Sequence, residues 1–214
     1  MYNKAGDFMK YVPKMYQKNI FEIPYNKLKE NGIKCLIFDL DNTLGLIDEE
    51  YPSKEVISLM TKLKKDFKVF ILSNNGKGSR VDKYKDKIDC IAIYKAKKPF
   101  TKGLKQISLN YGYKKEEMAI IGDQLVTDIY SGTRYGIFTI LVDPLGEKDL
   151  WVTKFNRIME NRKFKKYKRK QVFERGKYYE WKKMPGMRSS ITRWKYASWG
   201  LHSKYGKRLM SKMF

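Results

Sequence analysis

Four short runs rich in β-branched and aromatic residues recur along the chain with room for a helix between them: 34–39 "KCLIFD", 68–72 "KVFIL", 118–122 "MAIIG" and 137–142 "IFTILV". A weaker fifth lies at 89–93, "DCIAI". Each has the length and composition of a strand. Between them stand "PSKEVISLMTKLKKD" (52–66), "GSRVDKYKDK" (78–87), "FTKGLKQISLNYG" (100–112) and "QLVTDIYSGTRYG" (124–136), several ending on a glycine that suits a helix C-terminus. Parallel strands need a crossover to bring the chain back, so this alternation predicts an α/β fold: a central parallel sheet of about five strands flanked by helices.

In open sheets of this kind the functional crevice lies beyond the carboxyl ends of the strands. The residues that end the runs are Asp39 with Asp41, Ser73 with Asn74 and Asn75, Lys98, and Asp123 with Asp128. Two aspartates on the end of an apolar strand demand a cation or a reaction, because an unpaired buried carboxylate is costly. Asp39 at a strand end can attack a phosphorus as a carboxylate nucleophile. Asp41, two residues on, lies on the same side of an extended chain and can protonate a leaving oxygen, then activate water. Such a site needs positive charge: Asp39 and Asp123 can hold Mg²⁺, and Lys98 supplies a second cation. The Ser73 hydroxyl and nearby N–H groups can bond phosphate oxygens, although Ser73 also suits a helix cap. Asp128 fits a place behind the metal, orienting its waters or Lys98, and equally a simple helix-start charge.

As a set, "DLDNTL", "LSNN", "KKP" and "GDQLVTD" resemble the four motifs of the haloacid dehalogenase (HAD) superfamily of Mg²⁺-dependent phosphatases. With "YKAKKP", "TILVDPL" and "FNR" added, roughly residues 8–173 are similar to its YqeG-type subfamily, related to phosphatidylglycerophosphate phosphatases. The resemblance implies a Rossmann-like HAD fold and a phosphomonoester hydrolase acting through an aspartyl phosphate on a lipid headgroup phosphate such as phosphatidylglycerophosphate. It implies Asp39, Asp41 and Lys98 as catalytic residues, with Asp39, the Asp41 main-chain carbonyl and Asp123 on the metal. Thr43, Ser73, Asn74 and Lys98 are the implied substrate contacts. Lys97 competes with Lys98 for the site, the lysine before Pro99 being the better fit to the family pattern. "GLIDEEY" (45–51) departs from relatives that carry an aromatic closer to the first motif.

Asp39 to Ser73 spans 34 residues and Ser73 to Lys98 spans 25, barely enough for the strands and helices already assigned. No cap domain is expected, so a large or membrane-held substrate, or a surface, has to exclude water from the site.

Charge divides the chain. Its formal net charge is +23, from 46 Lys and Arg against 23 Asp and Glu. Residues 151–214 hold 20 of the basic and 3 of the acidic residues, or +17, leaving +6 for the first 150. This predicts four parts: 1–33 packing on the core, a phosphatase core over 34–150, a C-terminal helix over 151–173, and a basic aromatic-rich tail over 174–214. Trp151, Phe155, Ile158 and Met159 recur at helical spacing and are expected to pack on the sheet. In the tail, Tyr178, Tyr179, Trp181, Trp194, Tyr196, Trp199 and Tyr205 alternate with Lys and Arg, which suits an anionic membrane surface and, nearly as well, RNA. Ile191, Trp194, Leu201, Tyr205 and Leu209 could share a helical face there. The alternatives to the lipid reading are therefore an RNA- or ribosome-associated protein with a weak phosphatase core, and a nucleotide or polynucleotide-end phosphatase. Cys35 and Cys90 read as small core residues and His202 as a solvated bystander. No run approaches the ~20 apolar residues of a membrane span, and the expected location is cytoplasmic, peripheral at the inner face of the membrane.

Overall fold

Burial on both faces explains why the strand runs are nearly continuous in apolar residues. In β2 (Cys35–Phe38), Leu36 and Phe38 point to one face and Cys35 and Ile37 to the other. The first face packs on Leu28 of α1 (Tyr25–Glu30), Val56, Met60 and Leu63 of α2 (Lys54–Leu63), and Val81, Tyr84 and Ile88 of α3 (Gly78–Ile88). The second packs on Leu104 and Ile107 of α4 (Lys102–Tyr111). The computed structural model describes residues 10–76, 78–146, 151–170 and 172–180, with the backbone alone for 151–158.

Helix starts and stops follow local chemistry. Ser53 accepts the Val56 N–H at 3.3 Å and opens α2, whose buried residues recur at i, i+4 and i+7. α4 ends on Gly112 with φ 72°, a left-handed value that glycine takes without steric cost.

The strands are β1 (Met15–Gln17), β2, β3 (Lys68–Leu72), β4 (Ile91–Ile93), β5 (Met118–Gly122) and β6 (Phe138–Val142). They form one six-stranded sheet in the order β1-β6-β5-β2-β3-β4, with all five pairings parallel. From β2 the chain moves outward through β3 to β4, then returns to the other side of β2 for β5 and β6. The reversal falls between β2 and β5, and that is where a crevice opens at the carboxyl edge. Phe38 pairs with Ile121, and the Asp39 N–H donates to the Ile121 carbonyl at 2.8 Å, so Asp39 and Asp123 leave adjacent strands side by side.

Two features differ from the sequence expectation. β1 is a sixth strand; it is three residues long, too short for periodicity, and finds its partner 125 residues away, Met15 opposite Ile140. Its outer side is closed by the chain itself: Tyr16 and Tyr179 exchange N–H···O bonds of 2.9 Å in both directions. The segment 124–136 is not one regular helix. A π-type turn, Leu125–Ile129, in which the Ile129 N–H reaches the Gln124 carbonyl at 3.2 Å, runs into the short α5 (Tyr130–Tyr135).

Helix α6 (Trp151–Arg169) and the segment after it form a third cluster in which Tyr167 and Phe173 meet Val12, Tyr16, Leu125, Ile129 and Leu141. Glu160 is buried and accepts the Val126 N–H at 3.3 Å. The side chains of Trp151, Phe155 and Ile158 lie outside the described residues, as do Trp181, Ile191, Trp194, Tyr196, Trp199, Leu201, His202, Tyr205 and Leu209. Cys35 is buried and Cys90 half-buried, both as free thiols. Among the described residues no helix is long and apolar enough to cross a membrane.

Lys14, beside β1, is buried, and burial, opposed by Glu116, pulls its pKa down to about 8. Between that value and the ordinary lysine value of 10.5 the unfolded chain holds a proton that the folded one has released, so the folded state gains stability as pH rises through this window. Lys14→Met should therefore stabilise the protein at pH near 7. In urea unfolding the gain over the parent protein should shrink as pH is raised through that window.

Candidate active site

Lys98 organises the crevice. Its side chain is buried, and its Nζ donates to Asp39 Oδ1 and to Asp128 Oδ1, each at 2.6 Å. The backbone that carries it is held by Asn74, whose Oδ1 accepts the Lys98 N–H at 2.7 Å and whose Nδ2 donates to the Lys98 carbonyl at 3.0 Å. Asn74, expected among the substrate contacts, thus spends both ends of its amide on positioning Lys98. The choice between neighbouring lysines is made by the backbone. Lys95 and Lys97 adopt left-handed φ values of 52° and 54° and are exposed, whereas Ala96 and Lys98 turn inward.

Asp128 reaches Lys98 from the π-type turn, and its Oδ2 accepts the Gln124 N–H at 3.1 Å. A wide turn of this kind inserts one residue into a helix and re-aims the side chains around it, which is why such turns gather at functional sites. Gly122 leaves the room: a Cβ there would lie 2.3 Å from Asp128 Cγ. Asp123 follows directly, and the Thr43 hydroxyl stands 3.5 Å from its Oδ1. A tight turn over 40–45, in which the Leu44 N–H bonds the Leu40 carbonyl at 3.0 Å and Asn42 takes φ 59°, folds Thr43 back to that position. Ser73 is buried; its Oγ accepts the Asn75 N–H at 3.1 Å, which leaves the hydroxyl hydrogen to donate.

Oxygens of Asp39, Asp123 and Asp128 lie within 4.8 Å of one another. Burial raises the Asp39 pKa; the Lys98 charge opposes this, and Asp128 and Asp41 add to it. For Lys98, burial works to lower the pKa, but the charges of Asp128 and Asp39 and the bonds to them outweigh it and keep the ammonium protonated. Three buried carboxyl groups thus meet beside the Lys98 ammonium. An all-oxygen set of this kind suits a divalent cation such as Mg²⁺.

Asp41 is held by a residue the sequence reading did not single out. Arg80, in the first turn of α3, pairs with Asp41 Oδ1 through Nη1, and bonds the Leu46 carbonyl at 2.6 Å and the Glu49 carbonyl at 2.5 Å. Its guanidinium also lies 4.9 Å from the Tyr84 ring centroid. The signal was positional: a helix that follows a parallel strand begins at the functional edge, so a charged residue in its first turn faces the site.

A family model described as mitochondrial PGP phosphatase matches residues 7–146. The protein named probable phosphatase YqeG of Bacillus subtilis is 40% identical over 161 residues, 75% of this chain and 93% of its own. The chain belongs to this phosphatase family. It is a phosphatase of the YqeG type. The phosphatidylglycerophosphate phosphatase 1 of Arabidopsis thaliana is 25% identical over 151 residues, 64% of this chain and 42% of that longer protein. A solved structure described as a predicted HAD-like family hydrolase from Porphyromonas gingivalis aligns at 15% identity and TM-score 0.44, covering 60% of this chain and 98% of that one.

Gly122→Ala tests the packing of this cluster. Its backbone requires no glycine, and the nearest atoms an added Cβ would strike are those of Asp128. The expected result is a loss of about 1–3 kcal/mol in urea unfolding, together with a fall in turnover as Asp128 is pushed off Lys98.

Proposed function

We propose that this phosphatase is a Mg²⁺-dependent phosphomonoester hydrolase that acts through an aspartyl phosphate on Asp39, with the headgroup phosphate of phosphatidylglycerophosphate as its substrate. The observation that carries the reading is the Lys98 ammonium shared between Asp39 and Asp128 at the sheet's reversal point, beside Asp123. The lipid part leans on the family description and on the Arabidopsis relative.

Asp39 and Asp123, with the Asp41 carbonyl carried over from the family resemblance, are the residues that would hold Mg²⁺. When bound, the ion supplies positive charge for the phosphoryl oxygens and for the carboxylates around them. In the first step an Asp39 oxygen forms a bond to phosphorus as the bond to the leaving oxygen breaks, and Asp41 gives that oxygen a proton. In the second, Asp41 takes a proton from water, whose oxygen attacks phosphorus; the bond to Asp39 breaks and phosphate departs. Lys98 remains protonated throughout, anchoring Asp39 and facing the phosphoryl oxygens. The Ser73 O–H and the Thr43 hydroxyl complete the phosphate contacts. Asp128 positions Lys98, and Asn74 fixes the backbone that carries it.

The deciding experiment compares phosphatidylglycerophosphate in mixed micelles with soluble phosphomonoesters and a phosphorylated oligonucleotide in one Mg²⁺ buffer. Turnover should favour the lipid, vanish with chelator, and fall by about 10³-fold or more in Asp39→Asn. Borohydride reduction of the acid-quenched mixture should convert Asp39 to homoserine. Undiminished Asp39→Asn activity would sink the mechanism, and preference for a soluble ester would sink the substrate.

Arg80 anchors the proton carrier, so its removal should act selectively on steps that need a proton. In Arg80→Gln, kcat on alkyl phosphates should drop by about 10²-fold while p-nitrophenyl phosphate, whose leaving group needs little protonation, loses far less. Equal losses on both esters would assign Arg80 a purely structural part.

A further inference from the structure

Among the described residues eight large apolar side chains are exposed, and six of them, Phe21, Tyr51, Tyr94, Phe100, Leu145 and Tyr178, stand at one end of the molecule. Phe21 follows β1, Tyr51 lies in the segment after β2, Tyr94 and Phe100 follow β4, and Leu145 follows β6. Tyr178 is bonded through its hydroxyl to Asp143 Oδ2 at 2.6 Å, just past the end of β6. Every one of these positions is at the carboxyl edge of the sheet, the edge on which the active site opens. Apolar groups scattered singly on a surface mean nothing; a set gathered around one edge that carries the candidate site marks a face that meets something apolar.

The 94–102 loop shows its character best. Tyr94, at 48% exposure, and Phe100, at 64%, project outward together with Lys95, Lys97 and Lys102, while Ala96 and Lys98 face in. Two lysines in left-handed backbone conformations are needed for that alternation, which points the loop's cations away from the protein as firmly as Lys98 is pointed into it. Beyond β1, the outermost strand on the other side of the sheet, Lys18 and Phe21 are both exposed. Two acidic side chains of the 45–51 segment are engaged within the protein: Glu49 accepts the Leu46 N–H at 2.8 Å, and Glu50 pairs with Lys83 at 2.6 Å. Rings with exposed cations beside them are the chemistry of a bilayer interface, where aromatics sit at headgroup depth and lysines meet anionic lipid.

We infer that the carboxyl edge of the sheet, led by Tyr94, Lys95, Lys97 and Phe100, docks on an anionic bilayer and lays the active site on the headgroups. This rests on the lipid-substrate reading and adds to it the face that binds. Among the described residues no domain covers the crevice, and the bilayer takes the place of a cap over it. Leu145 offers a nucleobase no stacking face, which favours lipid over single-stranded RNA as the occupant.

The test uses the full chain carrying Asp39→Asn, so that lipid is not consumed, sedimented with vesicles of phosphatidylcholine alone or mixed with phosphatidylglycerol. Binding should require phosphatidylglycerol. The pair Tyr94→Ser with Phe100→Ser should weaken it by about tenfold or more, and Lys95→Gln with Lys97→Gln by about tenfold. In protein that retains Asp39 the same substitutions should leave p-nitrophenyl phosphate turnover within about twofold, as expected of folded protein with an intact site. Sedimentation of the rim variants equal to that of their parent, no sedimentation of the parent, or a shift of single-stranded RNA lost in the rim variants without vesicle binding would each overturn the inference. Rim-dependent binding without hydrolysis of phosphatidylglycerophosphate would sink the substrate reading alone. Hydrolysis in micelles without vesicle binding would sink the docking surface alone.

Discussion

The ammonium of Lys98 is the charge around which the buried carboxyl cluster is assembled. Asp39 and Asp128 come from opposite sides of the reversal between β2 and β5, and neither could be buried there without a cation between them. Breaking a buried pair by deleting one partner commonly costs about 3–5 kcal/mol, because the other charge is left stranded. The surroundings are built to prevent that. Asn74 grips the Lys98 backbone from the loop after β3, Gly122 clears space for Asp128, and the π-type turn aims Asp128 at the gap. Three strands therefore contribute to the placement of one side chain.

Around that centre the charges are divided between two tasks. Lys98 offsets the carboxyl groups at the core of the crevice, while Arg80 holds Asp41 at its mouth and binds the two carbonyls of the 46–49 segment. Asp41 and the loop that departs from the family pattern are thus tied to the same helix end. The outer cations, Lys95 and Lys97, face away and leave the internal balance undisturbed. A single loop carries both kinds of lysine, and the difference between them is a matter of backbone dihedral angles.

Sequence reasoning reached those features that leave a local trace. β2, β3, β5 and β6 are runs buried on both faces, so their composition announces them, and the residues that end them assemble at one edge because the sheet is parallel. β1 left no such trace: three residues carry no period, and the strand exists because β6 offers it an edge. Asn74 looks like a phosphate contact in "SNN", and only the folded loop shows that its amide also bonds the Lys98 backbone at both ends. The helical spacing of 124–136 conceals the wide turn, since one extra residue in a ring of hydrogen bonds does not alter composition. Arg80 was findable from topology, through the rule that helices after parallel strands start at the functional edge.

The reciprocal bonds between Tyr16 and Tyr179 have a consequence for solubility. A parallel sheet has an outermost strand at each end, and a bare one is an invitation for another polypeptide to add itself. Here one such border is occupied at its central residue by the protein's own later segment, with Phe173 and Tyr178 set edge-on against the Tyr16 ring. The stretch after α6 is in this respect a selvedge. It keeps the weave from being extended by a stranger, and a chain trimmed ahead of Tyr179 would present the raw margin to its neighbours.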